Sequence, residues 1–166
     1  MGVSGSGKST IGNMLAKSLN FSFLDGDDLH PESNKKLMAN GIPLTDEERL
    51  PWLEIIGQEL NEHSTLNKPL IIACSSLKRS YRDLLRKYSP NLFFLFLDGT
   101  KNQISERISV RKHEFMPSSL LDSQLANLEP LQSDEYGLRV EIGATPEEIC
   151  QWIILELSNL EKVKFH

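Results

Sequence analysis

Short apolar runs alternate with longer stretches of helical period along the whole chain. Residues 21–25, 70–74, 92–97 and 138–142 read as strands. The middle two are almost continuously apolar, as strands are when both faces of a parallel sheet are covered. Between the strands, apolar positions recur every three or four residues. That period predicts helices over 8–19, 31–40, 46–66, 78–87, 101–111, 118–128 and 146–160. Asp46 with Arg49 and Pro51 reads as a helix start, as does Thr145 before Pro146. The alternation predicts a three-layer α/β/α sandwich with a parallel sheet and right-handed crossovers. With no internal repeat and no low-complexity linker, 1–166 reads as one domain. Ligands of such sheets bind beyond the carboxyl ends of the strands. Attention therefore falls on 25–30, 74–79 and Asp98-Gly99.

The segment before the first helix carries its own chemistry. Gly2-Val3-Ser4-Gly5-Ser6-Gly7-Lys8-Ser9 fits the phosphate-loop pattern G-x-x-x-x-G-K-[ST] at every fixed position, and Thr10 follows. Glycines let the backbone curl so that several N–H groups converge on one phosphate cluster, and the next helix adds its positive end. Lys8 is suited to the β- and γ-phosphates and the Ser9 hydroxyl to Mg²⁺. A flexible Gly/Ser linker is the alternative, but a linker does not run straight into an apolar-periodic helix. The chain is expected to bind a nucleoside triphosphate.

Composition narrows the partners. A hydrophobic fraction of 39 % and a charged fraction of 25 % describe an ordinary globular protein. The net charge of −5 opposes a nucleic-acid surface, which needs a basic stripe. Local basic clusters must then serve a small anion. Cys74 and Cys150 lack metal-ligand spacing and read as buried thiols in a reducing compartment. No apolar run has membrane-spanning length and the start lacks a signal-peptide layout, so a cytoplasmic location is expected. Asn67-Lys68-Pro69-Leu70 lacks the final aspartate of a guanine reader.

Three clusters carry the remaining chemistry. Asp25-Gly26-Asp27-Asp28 ends the first strand and faces the phosphate loop. Phosphorylation of a hydroxyl calls for a carboxylate that orients the acceptor and takes its proton. Asp27 is assigned as that base, Asp25 as indirect support for Mg²⁺, and Asp28 as a cap of the following helix. His30 suits an acceptor hydroxyl. Lys78, Arg82 and Arg86 share one helix face, and Lys78 and Arg82 are assigned to an acidic acceptor. A solvated face paired with Asp83 is the competing reading, and it suits Arg86. Arg107 and Arg111 stand one turn apart before a Pro/Ser-rich stretch, as arginines of a closing lid over roughly 107–128 would. A solvated surface pair is the alternative there.

With these residues in hand, the chain resembles the gluconokinases, P-loop kinases of shikimate-kinase-like fold. The likeness runs through 1–10, Asp25-Gly26-Asp27-Asp28-Leu29-His30-Pro31, Asn34, Met38, 41–53, 74–83, Arg107, Arg111, Phe115-Met116 and 121–129. The middle blocks are more diagnostic than the phosphate loop, which many families share. The resemblance implies ATP and Mg²⁺ on the phosphate loop, and D-gluconate between the Asp27/His30 segment, Arg49 and the Lys78/Arg82 helix. The product implied is 6-phosphogluconate, and the assembly implied is a homodimer. A linear sugar acid needs one or two cations and many hydrogen-bonding partners, and the chain offers that mixture. A kinase for a related sugar acid or polyol, or a nucleotide-binding regulator, remain the alternatives.

Two departures from the family pattern stand out. Where the family reads Arg-x-Gly-His-Phe-Met, this chain has Arg111-Lys112-His113-Glu114-Phe115-Met116, so the lid histidine is not carried over. A phosphate loop also normally follows the central strand of its sheet, and no residues precede Met1 to form one. The expectation is a native start about ten residues earlier, the length of a strand and its lead-in.

Overall fold

The computed structural model describes residues 1–110 and 118–164. The elements run α1 (Lys8–Leu19), β1 (Ser22–Asp25), a 3₁₀ turn (Gly26–Leu29), α2 (Glu32–Ala39), α3 (Asp46–Thr65), β2 (Leu70–Ala73) and α4 (Arg79–Tyr88). They continue with β3 (Phe94–Asp98), α5 (Lys101–Val110), α6 (Ser118–Asn127), β4 (Gly137–Glu141) and α7 (Pro146–Lys164). Every expected strand and helix forms. The 3₁₀ turn within the acidic cluster was not expected.

Local chemistry explains the boundaries. Gly7 enters α1 at φ 97°, a left-handed conformation that favours glycine, and Asn20 leaves it at φ 56°. In α3, the Thr45 hydroxyl accepts from the Glu48 amide while the Glu48 carboxylate accepts from the Thr45 amide, a complete capping box. Thr145 and Glu148 repeat it at α7. Asp28 does not cap α2, because Pro31 occupies that position. Asp25 instead caps the 3₁₀ turn by accepting from the Asp27 amide at 3.1 Å.

The strands form two parallel pairs, β1 with β2 and β3 with β4. Met1 and Gly2 bridge them. The Met1 carbonyl accepts from the Leu97 amide at 2.9 Å, and the Met1 amino group donates to the Leu95 carbonyl. On the other side, the Gly2 amide donates to the Ser75 carbonyl at 3.1 Å. The strand order is thus β1-β2-(Met1, Gly2)-β3-β4, with the phosphate loop leaving the middle of the sheet.

A core lies on each face. Val3, Ile11, Leu15, Ile104, Val140 and Ile153 fill one, under α1, α5 and α7. Trp52, Ile56, Tyr81, Leu85, Phe94 and Phe96 fill the other, under α3 and α4. Helices α3 and α4 approach closely at Gly57, where an added Cβ would stand 2.3 Å from the Tyr88 ring. Behind Met1, between β2 and β3, the cores leave a cavity of about 540 Å³ lined by residues such as Leu15, Ile72 and Leu95.

Candidate active site

The phosphate loop is held in shape by its neighbours. Gly2 has φ 138°, and a Cβ there would stand 2.7 Å from the Leu97 carbonyl oxygen. Gly5 has φ 80° and lies as close to Ile108 of α5. Side chains at either position would force the loop off the sheet. Ser6 is fully buried, and its Oγ has no hydrogen-bond partner among the described residues. No described side chain caps α1, and its first turn carries no acidic residue. Most helices recruit an acceptor or a carboxylate at that end. Here the amides and the positive dipole end are left for an anion, so the residues present fit a nucleotide's phosphates.

The cations around the loop are already placed. Lys8 Nζ donates to the Val3 carbonyl at 3.0 Å, arching back over the loop. Ser9 and Thr10 open α1 with exposed side chains. Arg107 on α5 donates to the Ser6 carbonyl at 3.4 Å and to the Ile142 carbonyl. Its Nη1 would lie 3.5 Å from a Cβ on Gly7. Arg107 therefore ties the phosphate loop to the loop after β4 and is not a solvated surface arginine. Arg111 and Glu114 lie outside the described residues. Gln124 of α6, which the sequence reading did not single out, accepts from the Ser4 amide at 2.7 Å. Its place on a helix eight residues past the Phe115-Met116 motif gave no chemical signal.

The acceptor side forms around the carboxyl ends of β1 and β2. Asp27 is exposed on the 3₁₀ turn, and Asp25, half-buried, supports that turn. The Trp52 indole donates to the Gly26 carbonyl at 2.7 Å, anchoring the turn to α3. His30 is buried, with its ring stacked on Trp52 at a centroid distance of 4.1 Å. Burial, with Arg49 and Lys35 nearby, lowers its pKa to about 4, so the imidazole is neutral at physiological pH. Asn34 steadies this corner by donating to the Glu48 carbonyl at 2.7 Å.

Lys78 meets a carboxylate absent from the expected site. Lys78 Nζ lies 2.7 and 2.8 Å from the two carboxylate oxygens of Asp46, and the Tyr81 hydroxyl donates to the same carboxylate. Hydrogen bonds from Lys78 and Tyr81 hold the Asp46 carboxyl below its ordinary pKa. Arg49 Nε donates to the Leu44 carbonyl at 3.3 Å, and its charge is felt by His30, Asp46 and Tyr81. Asp46 read in sequence as a helix start only. Tyr81, three residues after Lys78, was the available signal for a shared face.

Arg82 requires a correction. Expected to contact the acceptor, it is fully buried. Nε and Nη2 each donate to Glu135 at 2.7 Å, a bidentate pair in which neither side chain touches solvent. Nη1 serves the carbonyls of Ser76, Leu77 and Glu129, and Nη2 also serves that of Pro130. Every N–H of the guanidinium is spent inside. Arg86, half-buried, joins Glu135 at 3.1 Å and Asp83 at 3.3 Å. Helical spacing put Lys78 and Arg82 on one helix; the helix begins one residue later, with Lys78 as its N-cap, and the acid that claims Arg82 lies 53 residues away.

Known proteins resemble this chain in sequence and fold. Residues 4–157 match the shikimate kinase family. The thermosensitive gluconokinase of Escherichia coli K12 is 47 % identical over 161 residues, covering 95 % of this chain and 86 % of the relative. The gluconokinase of Gluconobacter oxydans 621H is 40 % identical, covering 93 % and 86 %. The crystal structure of a gluconokinase from Sinorhizobium meliloti 1021 superposes with a TM-score of 0.91 at 42 % identity, covering 99 % of this chain and 93 % of that one. The phosphate loop, the acidic 3₁₀ turn and the Arg49/Lys78 corner thus sit in a sequence and a fold that these enzymes share, and the chain belongs to the gluconokinase family of shikimate-kinase-like P-loop kinases.

Proposed function

We propose that this chain transfers the γ-phosphoryl group of ATP to the 6-hydroxyl of D-gluconate, giving ADP and 6-phospho-D-gluconate. The reading is supported by two unlike groups of side chains that follow the carboxyl ends of the strands. One is a loop with an uncapped helix terminus and two cations, Lys8 and Arg107, suited to a triphosphate. The other is a corner where Lys78, Arg49, Asp46 and Tyr81 offer both charges and a hydroxyl, suited to a polyhydroxylated acid. A nucleobase acceptor would ask for an aromatic slot, and His30 and Trp52 are spent on each other.

The residues take roles as follows. The loop amides from Gly2 to Thr10 and Lys8 hold the phosphates, and Arg107, with Arg111 of the lid, answers charge on the group in transfer. Mg²⁺ would be held by the Ser9 hydroxyl, with Asp25 acting indirectly, and it supplies charge neutralisation of the phosphate oxygens. Asp27 takes the proton of the attacking hydroxyl, which raises the nucleophilicity of that oxygen as the new P–O bond forms. Arg49 and Lys78 bind the carboxylate end of gluconate, with Lys78 exchanging Asp46 for the substrate. Neutral His30 contacts an acceptor hydroxyl without adding charge beside Arg49. Arg82 acts from beneath by fixing the turn that carries Ser76 and Leu77.

ADP release coupled to oxidation of NADH tests the proposal. Turnover with ATP, Mg²⁺ and D-gluconate, and little with its epimers or shikimate, is expected. Preference for an epimer, or for shikimate, would overturn the substrate assignment.

A further inference from the structure

We propose that Glu129 is a positioning residue for Lys78: it grips the backbone on both sides of that lysine and so aims the ammonium group at the acceptor. The inference rests on the assignment of Lys78 to gluconate given above. Lys78 is the N-cap of α4, at φ −96° and ψ 150°, and its side chain makes no capping bond. An N-cap is usually Ser, Thr, Asp or Asn, whose short side chain accepts from the first amides of its own helix. A lysine has no acceptor to offer, and the first turn of α4 holds no acidic residue. The cap comes instead from 50 residues away, where the Glu129 carboxylate accepts from the Arg79 amide at 2.6 Å. The Lys78 side chain is thereby released from its own helix terminus and reaches Asp46.

Glu129 holds both peptide groups that flank Lys78. Its amide donates to the Leu77 carbonyl at 2.8 Å on one side, and its carboxylate takes the Arg79 N–H on the other. Fixing those two planes fixes φ and ψ of Lys78, the only soft backbone angles between them, and with them the direction of its Cα–Cβ bond. Neighbours fix Glu129 in turn. Leu128 before it packs against both cores, and Pro130 after it disfavours helical backbone at Glu129. The Glu129 carbonyl accepts from Arg82 Nη1 at 3.0 Å. Farther along the same loop, the Asp134 carboxylate accepts from both terminal nitrogens of Arg79 at 2.9 and 3.0 Å, so the segment is tied to the first turn of α4 at a second point. An exposed glutamate at a helix terminus ordinarily adds only a little stability. Two bonds that bracket a substrate-binding lysine give this one a further role.

A double-mutant cycle in steady-state kinetics, run well below the Tm of every variant, tests the role. Glu129→Ala is expected to raise the gluconate KM by about 5–20-fold while kcat and the ATP KM stay within about twofold, as when a binding group is held out of place. Glu129→Gln keeps an oxygen for the Arg79 amide, and its gluconate KM is expected to stay within about threefold of wild type. On a Lys78→Ala background, Glu129→Ala is expected to add less than about twofold, because no ammonium is left to aim. A wild-type gluconate KM in Glu129→Ala, or the same fold-rise with and without Lys78, would overturn the proposal and leave Glu129 a cap of α4 alone. If Lys78→Ala by itself left the gluconate KM unchanged, the placement of the substrate would fail, and this inference with it.

Discussion

Arg82 separates two accounts of this protein, and one substitution decides between them. Arg82→Ala removes every donor that Glu135 receives from that guanidinium, together with the donors to four backbone carbonyls. Removing one partner of a buried ion pair costs about 3–5 kcal/mol, because the other charge is left unmatched. At about 2–4 °C per kcal/mol for a chain of this size, the Tm should fall by about 6–20 °C. The gluconate KM, measured well below the new Tm, should stay within about threefold of wild type. Arg82→Met combined with Glu135→Leu should recover most of the loss, since no buried charge then remains. A pH titration gives an independent readout. Burial pushes the Glu135 carboxyl up, but hydrogen bonds from Arg82, the Gln132 amide and Arg86 more than offset this and hold it at about 2. A carboxyl depressed in the folded state stabilises above its unfolded pKa, so this contribution is full above about pH 4.5 and is lost toward pH 2. Thermal melts followed by circular dichroism, beside coupled kinetics, supply both numbers. A Tm within about 2 °C of wild type with a gluconate KM raised tenfold or more would refute the buried role and return Arg82 to the substrate.

Asp27→Asn is expected to lower kcat by about 10²–10⁴-fold while leaving the affinity for ATP nearly unchanged; near-normal kcat would remove Asp27 from the base role. Lys78→Ala and Arg49→Ala should each raise the gluconate KM by about one to two decades, the worth of a charge-assisted hydrogen bond of about 1.5–3 kcal/mol. A rise in the ATP KM alone would move the acceptor away from that corner. Gln124→Leu strips the Ser4 amide of its acceptor and should raise the ATP KM by about 2–10-fold, with the gluconate KM unchanged; an unaltered ATP KM would mean that the loop keeps its shape unaided. His30 is neutral in the fold, with a pKa lowered from 6.5 to about 4. Its contribution to stability is therefore present above pH 6.5 and lost as the pH falls toward 4. Denaturant titrations of His30→Gln should show a shallower decline across that window, and an unchanged slope would refute the assignment.

Much of this protein is local and was legible in the chain. The phosphate loop is a contiguous string whose glycines meet a backbone demand, so its residues announce themselves. The strands follow from short apolar runs and the helices from a 3.6-residue period, which burial imposes on neighbouring positions. The acidic turn after β1 was legible because sheet proteins bind ligands at strand ends. What the tertiary structure decided is the partner of each charge. Lys78 and Arg82 look alike in sequence, four residues apart, with Lys78 the N-cap of the helix that carries Arg82. Yet Lys78 meets Asp46 of α3 at the surface, and Arg82 meets Glu135 from the loop before β4 in the core. Asp46, Tyr81 and Gln124 gained their places in the same way, from elements that only packing brings together. The sheet shows the same division. Its four strands are written in apolar runs, but which strands pair, β1 with β2 and β3 with β4, is decided only by packing. Local pattern sets which residues want burial or a phosphate. Long-range pairing sets which of the remaining charges are left for a substrate, because a buried charge must be matched before it can serve anything else.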